Sequence, residues 1–141
     1  MTGLERLKAG IGNPALRANM ATTLGFRVAQ AEEGTVVIHA DPEPGFLNMS
    51  GIVHGGWAAT LLDSAMGCAA QSTVGDGQSV TTVEIKVAYH RPIKVDTGTV
   101  IVTGRILNRS RRLAFAEGRL EDARGRLLAS GTSTLMVLDP R

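Results

Sequence analysis

Gly55-Gly-Trp-Ala-Ala-Thr-Leu-Leu-Asp-Ser-Ala-Met-Gly-Cys-Ala-Ala-Gln71 decides how the rest of the chain is read. Its alanine, leucine and methionine content favours a helix, expected over residues 55–72. Trp57, Leu61, Leu62, Ala65, Met66, Cys68 and Ala69 cover most of the circumference, so this helix is buried on nearly every side. What remains is a narrow stripe of Gly56, Thr60, Asp63, Gly67 and Gln71, mostly small residues. The stripe fits either a sliver of solvent-facing helix or a face that another backbone approaches closely, with Asp63 held partly buried. A sheet wrapped around the helix would do the latter. Residues 112–121 offer Ala114, Ala116 and Gly118 as a small-residue face for it.

Upstream, Asn13-Pro14 reads as an N-cap followed by proline at the first helical position, and Gly25 as a stop. A helix is expected over 15–24, within an N-terminal helical segment spanning 1–24. Residues 26–32 and 35–40, separated by Glu33-Gly34, read as a β-hairpin. Pro42, Pro44, Gly45 and Gly51 make 41–53 a loop. Downstream, Gly75-Asp76-Gly77 breaks the chain before a strand in which Val83, Ile85, Val87 and Tyr89 alternate with Glu84, Lys86, Ala88 and His90. Strands over 99–107, 112–121 and 126–138 follow, joined by 108–110 and 122–125. Connections this short predict an antiparallel meander of all four. The fold class is therefore α+β: a long central helix wrapped by an antiparallel sheet of about five to six strands. No repeat or linker divides it, so 1–141 reads as one domain.

With 141 residues, 43% of them hydrophobic, the chain is long enough for one real core and too apolar to be disordered. No run of about 18 apolar residues is present to span a membrane, and Glu5 and Gly10 fall where a signal peptide needs an apolar block. The single cysteine, Cys68, excludes an internal disulfide and fits a reducing compartment, so a cytoplasmic location is expected. The net charge is +2, and Arg105, Arg109, Arg111, Arg112, Arg119, Arg124 and Arg126 crowd the last third of the chain. Aromatic residues make up only 4% and are not interleaved with these arginines, which argues against nucleic-acid binding. A solvated strand face or a cationic edge for a small phosphate-bearing ligand fits them better.

Several chemistries are excluded. There is no Gly-x-Ser-x-Gly elbow. His39, His54 and His90 lack metal-ligand spacing, so no metal site is expected. Residues 10–15 formally fit a Gly-x-Gly-x-x-Ala dinucleotide pattern, but no strand precedes them. Cys68 has no histidine at helical spacing and reads as a packing residue.

The stretch Asn48-Met-Ser-Gly-Ile-Val-His54-Gly55-Gly56, with Asp63 beyond it, is left. Two glycines at a helix start leave first-turn amides uncovered at the positive end of the helix dipole, where a carbonyl oxygen gaining charge binds well. His54 adds a donor, Asn48 an amide, and Asp63 a base or nucleophile. Taken singly, His54 reads equally as a helix cap and Asn48 as an Asx turn. Together they describe an acyl-transfer site.

These residues, Asn48…Gly51-Ile-Val-His54-Gly55-Gly56…Leu62-Asp63, resemble the hotdog-fold acyl-CoA thioesterases of the PaaI (phenylacetic-acid-degradation) type. Thr82-Val-Glu-Ile-Lys-Val-Ala-Tyr-His-Arg91-Pro92 resembles the strand after the central helix in that family. The likeness covers roughly residues 20–138. It implies a hotdog fold and hydrolysis of an acyl-CoA substrate, with no cofactor. It also implies a homodimer paired edge to edge, often assembled into a homotetramer. Asp63 matches the family's catalytic carboxylate, Gly55 the amide that polarises the thioester carbonyl, and His54 and Asn48 the residues flanking it. Thr82, with Thr81 adjacent, fits the residue that holds the attacking water, and is expected on the face of Glu84 and Lys86. The acyl group is expected near Gly56, Trp57, Leu61 and Met66, and the CoA phosphates near Arg91, Arg111 and Arg112. A hotdog hydratase or dehydratase, or a non-catalytic acyl-CoA binding module, are the alternatives. Gly55 and Asp63 are eight positions apart (63 minus 55), roughly 12 Å along one helix, so each site is expected to be shared between two subunits.

Overall fold

The structure, a computed structural model, describes residues 1–17 and 19–141. Helix α1 covers Gly3–Gly10, α2 covers Asn19–Leu24 and α3 covers Gly55–Gln71. Six strands accompany them: β1 Phe26–Glu32, β2 Thr35–Ala40, β3 Ser79–Tyr89, β4 Val100–Arg109, β5 Leu113–Glu121 and β6 Leu127–Leu138. All pair antiparallel in one sheet of order β1-β2-β4-β5-β6-β3, which wraps around α3.

The hairpin β1–β2 and the central helix fall where the sequence places them. The N-terminal segment differs. Instead of one helix over 15–24 there is a 3₁₀ turn at Pro14–Leu16 and the separate α2, because Arg17 is extended with ψ at 135°. Ala18, inside the expected helix, lies outside the described residues. The additional helix α1 starts on a capping box in which Thr2 and Glu5 exchange side-chain and backbone hydrogen bonds. Its first residue, Gly3, donates to the Val74 carbonyl at 3.1 Å and docks α1 on the end of α3.

The meander holds only for β4, β5 and β6. β3 lies on the far side of β6, with its other edge unpaired among the described residues, so the β3–β4 connection crosses the sheet instead of turning back. β3 also carries a bulge: Thr82 faces Leu135 across the ladder, but Glu84 already faces Thr134. The extra residue, Val83, reverses the alternation.

A row of glycines sets the depth of α3. Gly104, Gly118 and Gly131 are in register on three adjacent strands. A β-carbon on Gly104 would stand 2.1 Å from the Ala65 carbonyl oxygen, and one on Gly118 would stand 3.0 Å from Leu62 Cδ2. The close backbone approach therefore falls on the Ala65 face of the helix. The small-residue face of β5 does pack on α3, but against Leu62 and Met66, and the stripe containing Asp63 lies off the glycine row, toward β3. Leu61, Leu62, Ala65 and Met66 are completely buried between helix and sheet. Among the described residues no helix is long and apolar enough to cross a membrane.

Candidate active site

The loop before α3 is held by a bridge between Leu47 and Val53 and by the Val53 amide donating to the Ile93 carbonyl at 2.8 Å. Asn48 makes an Asx turn inside it: its Oδ1 accepts from the amides of Ser50 at 2.9 Å and Ile52 at 3.3 Å. The carboxamide oxygen is thereby occupied, and the Nδ2 group is the end left for a ligand.

His54 is the N-cap of α3, and its Nδ1 accepts from the Gly56 amide at 2.8 Å. An acceptor at Nδ1 puts the ring proton on Nε2, so the exposed edge of His54 is a donor. The same bond consumes the Gly56 amide. The Gly55 amide, by contrast, finds no acceptor among the described residues, at the positive end of a 17-residue helix. Tyr89 closes over this residue from β3: its hydroxyl donates to the Gly55 carbonyl at 2.7 Å. Its ring would lie 3.1 Å from a β-carbon at Gly55, so a larger residue there would have to push Tyr89 back by a few tenths of an ångström. The cap and the Asx turn therefore do not compete with a ligand role. They orient the groups that remain free.

Asp63 lies two turns further along α3, half-buried, and its Oδ1 accepts from the Thr82 hydroxyl at 2.7 Å. This contact distinguishes Thr82 from Thr81. It also reverses the expected facing: the bulge at Val83 turns Thr82 toward the helix and leaves Glu84 on the outer surface, where it bonds Thr134 at 2.9 Å. Cys68, one helical turn beyond Ser64, sits in a setting that disfavours its thiolate. Burial, and secondarily the Asp63 charge, push its thiol up to about 11, so it stays protonated at neutral pH.

Asp63 and Thr82 line a cavity of about 570 Å³ that runs toward α1, α2 and β1. Asn48, His54, Gly55 and Gly56 line a different one of about 520 Å³, together with Tyr89 and Arg91. One chain therefore does not bring the carboxylate to the free amide.

The expected acyl pocket is rearranged. Met66 and Leu61 are fully buried under the sheet and line neither cavity, because the helix face that bears them is the one pressed on the glycine row. Trp57 is anchored by its Nε1 donating to the Leu24 carbonyl at 3.0 Å and stacks on Phe46. It borders a smaller cavity of about 380 Å³ beside His54 and Gly56. Arg91 borders the Gly55 cavity, with its guanidinium donating to the Leu127 carbonyl at 3.0 Å. Arg111 and Arg112 sit exposed in the β4–β5 turn at the other end of β5, roughly 27 Å away at about 3.4 Å per residue. Within one chain these three arginines do not form a cluster. Tyr89 and the N-terminal wall of the Asp63 cavity are the features that sequence reasoning missed.

A long helix wrapped by a six-stranded antiparallel sheet, with a bare amide at the helix start and a carboxylate two turns on, is the hotdog architecture of a thioester hydrolase. Residues 50–129 match the family model described as the thioesterase superfamily, and the chain belongs to that family. Among its relatives, human acyl-coenzyme A thioesterase 13 is 30% identical over 82% of this chain and 83% of its own. A Streptococcus mutans protein solved bound to acetyl CoA superposes with a TM-score of 0.75 at 25% identity, covering 83% of this chain and 91% of that one. The PaaI protein from the phenylacetic acid degradation operon of E. coli shares the fold, with a TM-score of 0.85 over 99% of this chain and 98% of that one at 16% identity.

Proposed function

We propose that this chain hydrolyses an acyl- or arylacyl-CoA to the free acid and CoA, in sites built from two copies of the chain. The observation that carries this reading is the division of the groups between two cavities. Asp63 with Thr82 lines one, and Asn48, His54 and Gly55 line the other. A partner helix running antiparallel brings the first set of one subunit to the second set of its partner. The unpaired edge of β3, where Val83, Ile85 and Tyr89 are exposed, supplies the surface for edge-to-edge pairing. Pairing into a homotetramer is the further assembly that the family likeness supports.

In this arrangement the thioester carbonyl oxygen accepts from the Gly55 amide, with His54 Nε2–H and the Asn48 carboxamide beside it. As the carbonyl carbon becomes tetrahedral, the negative charge on oxygen grows against fixed donors and the helix dipole. Asp63, oriented by Thr82, either takes a proton from an attacking water or attacks the carbonyl carbon itself. In the first route, C–S cleavage expels CoA thiolate and leaves the acid. In the second, C–S cleavage expels CoA thiolate as Asp63 and the acyl group form a mixed anhydride, and water then hydrolyses that anhydride to the acid and the free Asp63 carboxylate. The CoA arm then leaves past Arg91.

The test is thiol release over phenylacetyl-, hydroxybenzoyl- and straight-chain acyl-CoAs, with Asp63→Asn beside the wild type. The variant should lose roughly 100- to 10,000-fold in kcat while still binding acyl-CoA. Turnover within a few-fold of wild type would remove Asp63 from the mechanism. An enoyl product from a 3-hydroxyacyl-CoA would instead mark a dehydratase.

A further inference from the structure

Gly67 lies in the interior of α3, one turn beyond Asp63 and on the same face. Glycine is the poorest helix former after proline, and the surrounding segment is rich in alanine. Packing within the chain does not account for it. A β-carbon there would meet only Leu135 Cδ2, at 3.9 Å, an ordinary contact, whereas Gly104 admits no β-carbon at all. What Gly67 does border is the Asp63 cavity. Beyond Gly67 the lining is mostly apolar, with Leu7, Ala21, Phe26, Val28, Ile38 and Leu135, and Gln71 and Arg17 add polar groups to it. Two of the arginines at its rim are engaged elsewhere: Arg27 pairs with Asp41 at 3.0 Å, and Arg6 donates to the Gln78 carbonyl at 2.7 Å. The cavity thus opens at a carboxylate and continues as mainly apolar space of about 570 Å³, enough for an acyl chain of medium length.

We propose that this cavity takes an unbranched aliphatic acyl chain of medium length, and that Gly67 is the specificity-determining residue that keeps its path open. The assignment rests on the thioesterase reading for the role of Asp63. The N-terminal segment, through Leu7 and Ala21, forms the far wall and limits the chain. An acyl chain entering beside Asp63 buries its methylenes one after another, each worth about 4-fold in affinity, or ~0.8 kcal/mol.

The experiment compares wild type, Gly67→Ala and Gly67→Leu by kcat/KM on acyl-CoAs from 4 to about 14 carbons. Binding of S-alkyl-CoA thioethers of the same lengths is measured by calorimetry. Leucine's side chain displaces about three methylenes, so the dodecanoyl-to-butyryl ratio of kcat/KM should fall about 60-fold, and about 4-fold in Gly67→Ala. Gly67→Ala should also melt a few degrees higher than wild type, so a folded variant is available even if leucine is not tolerated. A uniform fall at every chain length, or an unchanged ratio in both variants, overturns the proposal. If no acyl-CoA is hydrolysed but thioether affinity rises with length in wild type and flattens in Gly67→Leu, the thioesterase reading fails and the cavity assignment stands. If hydrolysis is found with superimposable length profiles, the reverse holds.

Discussion

Mixing two inactive variants should restore activity. In Asp63→Ala one chain keeps Asn48, His54 and Gly55. In a second chain, Asn48→Ala with His54→Ala, the carboxylate and Thr82 remain. Eight helical positions separate Gly55 from Asp63, about 12 Å along α3, while the reacting atoms must come within roughly 3 Å. The Thr82 hydroxyl holds the carboxylate at 2.7 Å, which further removes any swing of Asp63 toward its own helix start. If each site combines two subunits, a mixed dimer has one site bearing both lesions and one bearing neither. Random pairing makes half of the dimers mixed, so the equimolar mixture should regain about one quarter of wild-type activity. Each variant alone should be reduced about 100-fold or more. The assay is thiol release after co-refolding of differently tagged chains, with capture on both tags to show exchange. Recovery of no activity by a demonstrated mixed population would refute the shared site, because an intrachain site gives only the average of two dead enzymes.

Two further outcomes follow from named contacts. Tyr89→Phe keeps the ring over Gly55 but removes the hydroxyl bond to its carbonyl, so kcat should fall about 3- to 10-fold with KM within two-fold; an unchanged kcat would show that the bond does not orient the amide. Gly104→Ala forces a β-carbon to 2.1 Å from the Ala65 carbonyl and should cost about 3 kcal/mol, lowering the melting temperature by roughly 10 °C at fixed protein concentration; a loss below about 0.5 kcal/mol would mean that the helix is not seated on the glycine row.

The elements legible in the sequence were those whose signal is local. The buried helix 55–71 announced itself by apolar residues all round and by two glycines at its start, and the β1–β2 hairpin by its Glu33-Gly34 turn. Its N-terminal amides and Asp63 were legible for the same reason, since helix geometry alone fixes their spacing. What misled was non-local. Short connections suggested that β3 would lie beside β4, but a strand's neighbour is decided by which edge is free, and β3 pairs with β6 instead. The facing of Thr82 followed from a strict two-residue period, which a bulge at Val83 breaks without any glycine to mark it. Tyr89 reaches a partner 34 positions away, which no periodicity reports. Met66 misled differently: position on the helix says that it is buried, not whether it lies against sheet or cavity.

The two faces of α3 answer separate physical demands, and the residue types follow. On the sheet side, glycines at 104, 118 and 131 bring the helix close enough for Ala65 to touch strand backbone, which fixes its position. A helix held that firmly can carry groups that must not move, and they lie off the glycine row: the capped start at His54, the bare Gly55 amide, and Asp63 against Thr82. Those groups cannot meet within one chain, because a rigid helix separates them by two turns. Rigidity thus both creates the site's components and prevents one chain from completing it. The exposed strand β3, whose outer edge is unpaired among the described residues, carries Tyr89 at the helix start and Thr82 at the carboxylate, so the strand that would join a second copy also touches both ends of the divided site. On the proposed reading, pairing at that edge is what positions each amide over its partner's carboxylate, and loss of self-association should abolish turnover while leaving each chain's helix and sheet intact.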